Sequence, residues 1–128
     1  MGLTIFIDGQ IRFEMLYSRY SQFIQELVEK AYGSECLKIF KAIYERPMTS
    51  AEADFWNTRC NDDLDILIRH PDNWGDISPE DCRKIYEALK PYHLNTLCRY
   101  RNQYVNVCEQ WKEMLLYCAQ NNAKMEYR

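Results

Sequence analysis

The residue pair Asp8-Gly9 is the feature that most constrains the fold of this 128-residue chain. It separates the β-branched and aromatic run at residues 4–7 from the alternating run at residues 10–15. Asp-Gly between two such runs favours a two-residue type I′ turn, which requires a positive φ at both central residues. The sequence therefore predicts an N-terminal β-hairpin.

A two-residue turn also determines how the two predicted strands pair. In this register Phe6 faces Ile11, and Thr4 faces Phe13. Phe6, Ile11, Phe13 and Met15 then lie on one face of the hairpin. Because these side chains are large and apolar, we expect that face to pack against the core.

Helical periodicity dominates the remainder of the chain. Apolar residues recur at spacings of three and four, as on the buried face of an amphipathic helix. Thr49 and Glu52 form a capping-box pattern, and Ser78 followed by Pro79 is a strong helix start. The predicted helices cover residues 18–32, 35–45, 50–69, 79–89 and 94–120, and the third can break at residues 61–63.

Together these elements predict a single domain over residues 1–128 with an α+β fold that is mainly α. About five helices surround one core. Residues 124–127 form a short C-terminal strand that joins the N-terminal hairpin in a small two- or three-stranded sheet. Hydrophobic residues make up 47% of the chain and charged residues 27%, as in ordinary globular domains, so disorder is not expected.

The sequence favours a cytoplasmic protein. Its longest apolar stretches fall far short of the roughly 20 residues that span a bilayer, and residues 1–8 lack the basic region of a signal peptide. Six cysteines are present, and no two of them form a C-x-x-C pair. We therefore expect reduced, buried thiols, no zinc site and no cofactor.

Acidic and basic residues are unevenly distributed along the chain. The formal net charge is −3, yet residues 61–81 carry seven acidic residues that are opposed only by Arg69. Residues 82–128 carry eight Lys and Arg against four acids. Such an asymmetry bears on the choice of partner rather than on the fold.

The acidic segment supplies the first candidate site, because it contains Trp74, which we expect to be exposed. An aromatic anchor surrounded by acids suits a protein partner with a basic surface. The aromatic side chain contributes binding energy, and the charges set the encounter rate and selectivity. The predicted partner-binding residues are Asp62, Asp63, Asp65, Asp72, Trp74 and Asp76.

The basic C-terminal third supplies an alternative site. Basic and aromatic residues interleave between positions 90 and 104, and such mixtures stack on bases and pair with phosphates. The ligand would be a small molecule or a nucleotide, whereas the pI near 5.4 argues against direct nucleic-acid binding. The alternative ligand-binding residues are Lys90, His93, Arg99, Arg101 and Tyr104.

No sequence pattern indicates catalysis. The four glycines are isolated, so they form no phosphate-binding loop, and no cysteine lies in a nucleophile motif. The loop around Gly75 is similar to the centre of an EF-hand, but His70 and Trp74 occupy positions that need oxygen ligands. We therefore expect a non-catalytic protein without a metal site.

The segment that begins at His70 contains a compact loop–helix signature. Its residues are His70, Asp72, Gly75, Ile77, Ser78, Pro79, Glu80 and Cys82. The signature resembles that of a group of small proteins from gut bacteria and their phages. This resemblance implies a phage or mobile-element setting, in which a small binding protein acts as an inhibitor or accessory factor on a macromolecular partner.

Overall fold

The computed structural model describes residues 2–128, which form an α+β fold that is mainly helical, as predicted. In this range the helices are α1 (Tyr17–Tyr32), α2 (Ser34–Ala42), α3 (Ser50–Arg59), α4 (Leu64–Arg69), α5 (Pro79–Leu89) and α6 (Val107–Gln120). The strands are β1 (Gly2–Ile7), β2 (Gln10–Leu16), β3 (Asp76–Ile77), β4 (Leu97–Tyr100), β5 (Gln103–Asn106) and β6 (Met125–Tyr127). Every helix among these residues is too short or too polar to cross a bilayer.

The predicted N-terminal hairpin is confirmed. Asp8 and Gly9 form its turn with φ values of 56° and 76°, as a type I′ turn requires. Phe6 pairs with Ile11, as expected from a two-residue turn. β2 then runs directly into α1, which begins without a side-chain cap.

The predicted core face of the hairpin is wrong for Phe6 of β1 and for Ile11 of β2. The register shifts between Ile5 and Phe6, so that Ile5, rather than Thr4, pairs with Phe13. A shift of one residue moves the side chains of a strand to the opposite face. Phe6 is therefore only half-buried, and Ile11 is exposed. The hairpin side chains that are buried in the core are Leu3, Ile5, Ile7, Phe13 and Met15.

The described residues form a sheet of four antiparallel strands in the order β2-β1-β6-β3, one strand more than predicted. β6 joins the hairpin as expected, with Ile5 opposite Tyr127. The additional strand, β3, pairs with β6 through Ile77 opposite Met125. Ile77 directly precedes Ser78, which caps α5, so this pairing holds the loop before α5 against the sheet.

Trp111 of α6 lies at the centre of the core. Its ring centroid is 5.3 Å from that of Tyr20, 5.6 Å from that of Phe23 and 5.9 Å from that of Phe13. Aromatic pairs at such separations stabilise a core by about 0.5–1.5 kcal/mol each beyond the area they bury. Trp111 thereby joins α6 to α1 and to the sheet.

The predicted helix over residues 50–69 is two helices, α3 and α4. Thr49 and Glu52 make both hydrogen bonds of the predicted capping box, over 3.1 Å and 2.9 Å. The helix is interrupted at residues 60–63, and Asn-Asp-Asp occupies positions 61–63. Asp62 accepts a hydrogen bond from the backbone N–H of Leu64 over 3.2 Å and so supports the start of α4.

The predicted helix over residues 94–120 is wrong in its first half. Residues 97–106 form the hairpin β4–β5, which turns at Arg101 and Asn102 with φ values of 51° and 65°. α6 begins only at Val107. The side chain of Asn106 caps it by accepting from the backbone N–H of Glu109 over 3.0 Å.

Long-range contacts explain why this segment is not helical. The Glu26 carboxylate of α1 accepts hydrogen bonds from the backbone of Asn95 over 2.7 Å and from the backbone and hydroxyl of Thr96 over 3.0 Å and 2.7 Å. The ring of Tyr100 packs on Phe13 with 4.7 Å between centroids. These contacts join the segment to α1 and to β2. The spacing of Leu97 and Tyr104 places them on the apolar face of the predicted helix, but both side chains are exposed.

Candidate functional site

A groove opens between α1, α2, α3 and the segment that follows α4. Its cavity volume is about 530 Å³, within the range of about 300–1,000 Å³ that is usual for binding sites. Apolar atoms make up most of its lining. We call it the aromatic groove, after the lining side chains Tyr20, Phe40, Tyr44 and Trp56.

Three of these side chains form the buried wall of the groove, and Tyr44 forms its open rim. Tyr20, Phe40 and Trp56 are buried, whereas Tyr44 is 69% exposed. Phe40 stacks on Trp56 with 6.3 Å between centroids, and it meets Tyr44 edge-on at 5.9 Å. A continuous aromatic surface therefore runs from the core to solvent.

The connection between α2 and α3 explains why Tyr44 reaches the rim. α2 ends at Ala42 rather than at residue 45 as predicted, so Tyr44 lies beyond the helix. Arg46 then donates two hydrogen bonds of 2.7 Å and 2.8 Å to the carboxylate of Glu52 in α3. Arg46 and the backbone N–H of Thr49 lower the pKa of Glu52 to about 2. The ion pair and the capping box together hold this connection in place.

One end of the groove carries an unpaired negative charge. Asp72 forms no ion pair with any residue between positions 2 and 128. Arg69 lies at the same end, but its Nε is 2.7 Å from Asp65 and its Nη2 donates to Asn57 over 3.0 Å. Partial desolvation of its hydroxyl, and secondly the Asp72 carboxylate, raise the pKa of Tyr44, although most of its side chain is exposed.

His70 is held against the core at this end of the groove. Its ring lies on that of Tyr127 with 4.3 Å between centroids, and its Nδ1 donates to the Pro71 carbonyl over 2.7 Å. Gly75 has a φ of 97°, and a Cβ at this position would lie 3.3 Å from His70 Nε2. Glycine is therefore needed at position 75 both for its conformation and for the close approach of His70.

Two of the predicted partner-binding acids stabilise the fold. Asp65 pairs with Arg69 and accepts a hydrogen bond from the Trp56 indole over 3.2 Å. Asp62 accepts a hydrogen bond from the Tyr32 hydroxyl, and burial together with this bond raises the pKa of Tyr32. Both carboxylates therefore hold the break between α3 and α4 against its neighbours.

Asp76 is neutralised by residues far away in the sequence. Its carboxylate lies 3.5 Å from Lys124 and 3.7 Å from Arg128, because β3 pairs with β6. Arg69 is the single cation within residues 61–81, but in the fold Lys124 and Arg128 also oppose this segment. The sequence interval 61–81 does not reveal these two cations, since they follow α6.

Asp63, Asp72 and Trp74 remain exposed. Trp74 is 65% exposed, in agreement with the expectation from the sequence. Asp63, like Asp72, has no ion-pair partner in the part of the chain that the structure describes. Trp74 lies two residues after Asp72, so the exposed indole follows the charged end of the groove along the same loop.

The alternative binding residues lie on separate elements. Arg99, Arg101 and Tyr104 belong to the β4–β5 hairpin, whereas Lys90 ends α5 and His93 is exposed in the following loop. A second, shallower depression of about 650 Å³ beside β2 is lined in part by Arg99 and Arg101. Lys90, His93 and Tyr104 do not line it. Of the five predicted residues, the structure therefore brings only Arg99 and Arg101 together at this depression.

All six cysteines are buried, as predicted, and none of them is in a disulfide in the described chain. The Sγ atoms of Cys36 and Cys60 lie 3.7 Å apart, a proximity that their separation in sequence does not indicate. Burial raises the pKa of Cys60, which disfavours the reactive thiolate. Across residues 2–128, no three His, Cys, Asp or Glu side chains are grouped so as to hold a metal ion.

The sequence does not indicate that the aromatic groove is a binding site. The spacing of Phe40, Tyr44 and Trp56 fits buried helix faces, and the sequence therefore places all three in the core. Pro47 restricts only the residue before it, so it does not indicate that α2 ends before Tyr44. The meeting of these residues with the loop after α4 has no local signal.

No family model, curated protein or solved structure matches this chain. The resemblance to small proteins of gut bacteria and their phages stays a prediction that depends on the signature at residues 70–82. Function is therefore inferred from the groove, from its charges and from the exposed aromatic side chains.

Proposed function

We propose that this protein is a non-catalytic binding protein that docks a basic segment of a partner protein. The binding surface consists of the aromatic groove and the loop that carries Trp74, and we call the two together the docking face. The resemblance of residues 70–82 supports a phage or mobile-element setting, in which this cytoplasmic protein acts as an inhibitor or accessory factor.

The observation that carries this proposal is the exposure of two large aromatic side chains next to an unpaired carboxylate. Tyr44 is 69% exposed and Trp74 is 65% exposed. Such side chains are enriched at binding hot spots. Each buries a large area on binding, and it has few rotatable bonds whose motion is lost. Asp72 adds a charge that no residue of the described chain neutralises.

The charge of the docking face favours a basic partner over an acidic one. Arg69 is already held by Asp65 and Asn57, so its charge is compensated. The charge of Asp72 is not compensated. A Lys or Arg of the partner would neutralise Asp72, and an acidic partner would be repelled from it.

Selection from a randomised peptide library tests the proposal. Peptides are selected on the wild-type chain after depletion on a Tyr44→Ala/Trp74→Ala double variant, whose substitutions remove only exposed side chains. The selected peptides should contain Lys or Arg next to an apolar residue. They should bind the wild type about 25-fold or more tightly than the double variant, as expected for the loss of a hot spot.

The matched control is Tyr104→Ala, which removes a ring that is 73% exposed on the β4–β5 hairpin. This variant should bind the selected peptides as the wild type does. Selection of peptides without basic residues, or of none at all, would contradict the proposal. So would an affinity that falls in Tyr104→Ala and not in the double variant.

Arg99 and Arg101 favour a second candidate function, the binding of a nucleotide phosphate in the depression beside β2. Their guanidinium groups lie 5.5 Å and 5.0 Å from the ring centres of Tyr104 and Tyr100, and neither pairs with an acid among the described residues. Titration with adenosine triphosphate tests this function. Binding should be lost in an Arg99→Gln/Arg101→Gln variant, and a wild-type chain that does not bind the nucleotide would exclude it.

A further inference from the structure

We propose that the aromatic groove holds one arginine or lysine side chain of the partner, with its charged head group directed at Asp72. This inference rests on the proposed function and identifies the residue type that the groove recognises. The side chain that occupies the groove belongs to the basic segment of the partner.

The walls of the groove suit a side chain that is apolar along its stem and charged at its tip. Phe40 stacks on Trp56 at 6.3 Å, and Tyr44 extends this surface to the rim at 5.9 Å. The methylene stem of Lys or Arg packs against such rings, and the π-systems attract the cation itself. An uncharged apolar side chain would use only the first of these contacts.

The cation at the same end of the groove does not neutralise Asp72. Arg69 is held by Asp65 at 2.7 Å and by Asn57 at 3.0 Å, so movement toward Asp72 would break both contacts. When a partner covers the groove and expels water, an unpaired Asp72 would be costly to bury. A cation that arrives with the partner removes this cost.

His70 is also engaged elsewhere. Its ring packs on Tyr127 at 4.3 Å, and its Nδ1 donates to the carbonyl of Pro71 over 2.7 Å. Gly75 closes the loop against its other ring nitrogen. No cation of the described residues therefore pairs with Asp72, and a cation of the partner can take this position.

The negative charge of Asp72 acts on the walls of the groove. Partial desolvation of the hydroxyl is the main cause of the raised pKa of Tyr44, and the Asp72 carboxylate is the second. Asp72 also contributes, after burial and the neighbouring Tyr127, to the raised pKa of Tyr20 on the opposite wall. The negative charge of Asp72 favours a positive charge at this end of the groove.

Titration of the full chain with small cations tests the inference. The probes are butylguanidinium and butylammonium, and butanol is the neutral control with the same stem. NMR detects binding through the indole N–H of Trp56 in the groove, while that of Trp111 in the core serves as the reference. Both cations should shift the Trp56 signal saturably, and butanol should not.

Two matched variants identify the charge that is responsible. Asp72→Asn should weaken binding of both cations about three- to fivefold, since it removes the pairing charge and keeps the side-chain shape. Asp63→Asn removes an exposed acid that does not line the groove, so it should change binding by less than about twofold. Neither carboxylate makes a hydrogen bond or ion pair in residues 2–128, so both variants should fold.

The outcomes distinguish this inference from the proposed function. Binding of butanol as strong as that of the cations, or cation binding that Asp72→Asn leaves unchanged, would overturn the inference. Library peptides that need Tyr44 and Trp74 but bind Asp72→Asn normally would also overturn it, while they support the proposed function. Cation binding that needs Asp72, together with a failure to select any peptide, would overturn the proposed function itself.

Discussion

The hydroxyl oxygens of Tyr20 and Tyr127 lie 3.0 Å apart and join the first helix to the last strand. The indole of Trp111 donates to the same Tyr127 hydroxyl over 3.1 Å. All three side chains are buried, and each depends on the others for its hydrogen bonds. This network holds the wall of the aromatic groove against the sheet.

Tyr127→Phe should lower the free energy of unfolding by about 1–3 kcal/mol, because Trp111 and Tyr20 both lose a buried partner. Urea unfolding measures the change. Tyr104→Phe is the control, since it alters an exposed ring and should change stability by less than about 0.5 kcal/mol. Equal stability of Tyr127→Phe and the wild type would show that the network does not stabilise the fold.

Stability should fall as the pH rises above about 10. Burial raises the pKa of Tyr20 and Tyr127 above the ordinary value of 10.0, so the folded chain keeps protons that the unfolded chain releases. The stabilisation is complete below pH 10 and is lost progressively above it. Urea midpoints between about pH 9 and 11 measure this slope. A Tyr20→Phe variant should have a shallower slope, and an unchanged slope would contradict the assignment.

Gly75→Ala should displace the ring of His70, because the new Cβ would lie 3.3 Å from His70 Nε2. Gly9→Ala is the matched control, since Gly9 also has a positive φ but no atom near its Cβ position. Both variants should cost about 1 kcal/mol in stability from backbone strain. Only Gly75→Ala should shift the NMR signals of the His70 ring, and shifts of equal size in both variants would oppose this interpretation.

Trp74→Ala should weaken binding of a selected basic peptide by about 2 kcal/mol and change the free energy of unfolding by less than about 0.5 kcal/mol. Trp56→Ala provides the contrast. That ring is only 3% exposed, and its removal should destabilise the chain by about 3–5 kcal/mol. Peptide titration and chemical denaturation measure the two effects. Unfolding of Trp74→Ala would identify the indole as a core residue.

All six cysteines should react with a thiol reagent after denaturation without reductant. In the native protein they should react far more slowly, because every one is buried and burial raises the pKa of Cys60, Cys98 and Cys108. Mass-spectrometric counting of labelled cysteines checks both statements. Two or fewer labelled thiols in the denatured chain would contradict the expectation of reduced cysteines.

The elements that could be predicted from the sequence are those decided by neighbouring residues. Asp8-Gly9 adopts the predicted turn, and the capping pair Thr49 and Glu52 begins α3 as expected. Ser78 caps α5 through the backbone of a residue three positions on. In each case the interacting groups lie within a few residues, so the sequence contains the whole interaction.

The β4–β5 hairpin could not be predicted in the same way. Its turn at Arg101 and Asn102 contains no glycine, and the apolar spacing around it also fits a helix. A long-range contact just before it comes from Glu26 of α1, which accepts hydrogen bonds from the backbone of Asn95 and Thr96. Only the folded chain brings this carboxylate to that segment.

The features of the candidate site also differ in whether they depend on local or on long-range contacts. Exposure of Trp74 follows from its place in a polar loop between two helices, and it could be expected from the sequence. The pairing of Asp76 with Lys124 and Arg128 could not, because it depends on the pairing of β3 with β6. The negative charge of the acidic segment is therefore partly compensated in the folded protein by cations that its own composition does not include.

The sequence by itself determined the fold class, most helix boundaries that carry caps, the N-terminal hairpin and the place of the C-terminal strand. These depend on backbone conformation, capping and periodicity, which act over one or two turns of chain. Only the tertiary structure decided which face of β1 is buried, that residues 97–106 are strands, and that Tyr44 and Asp72 line one groove. Such features depend on contacts between residues far apart in sequence, and their energies exist only once the chain has folded.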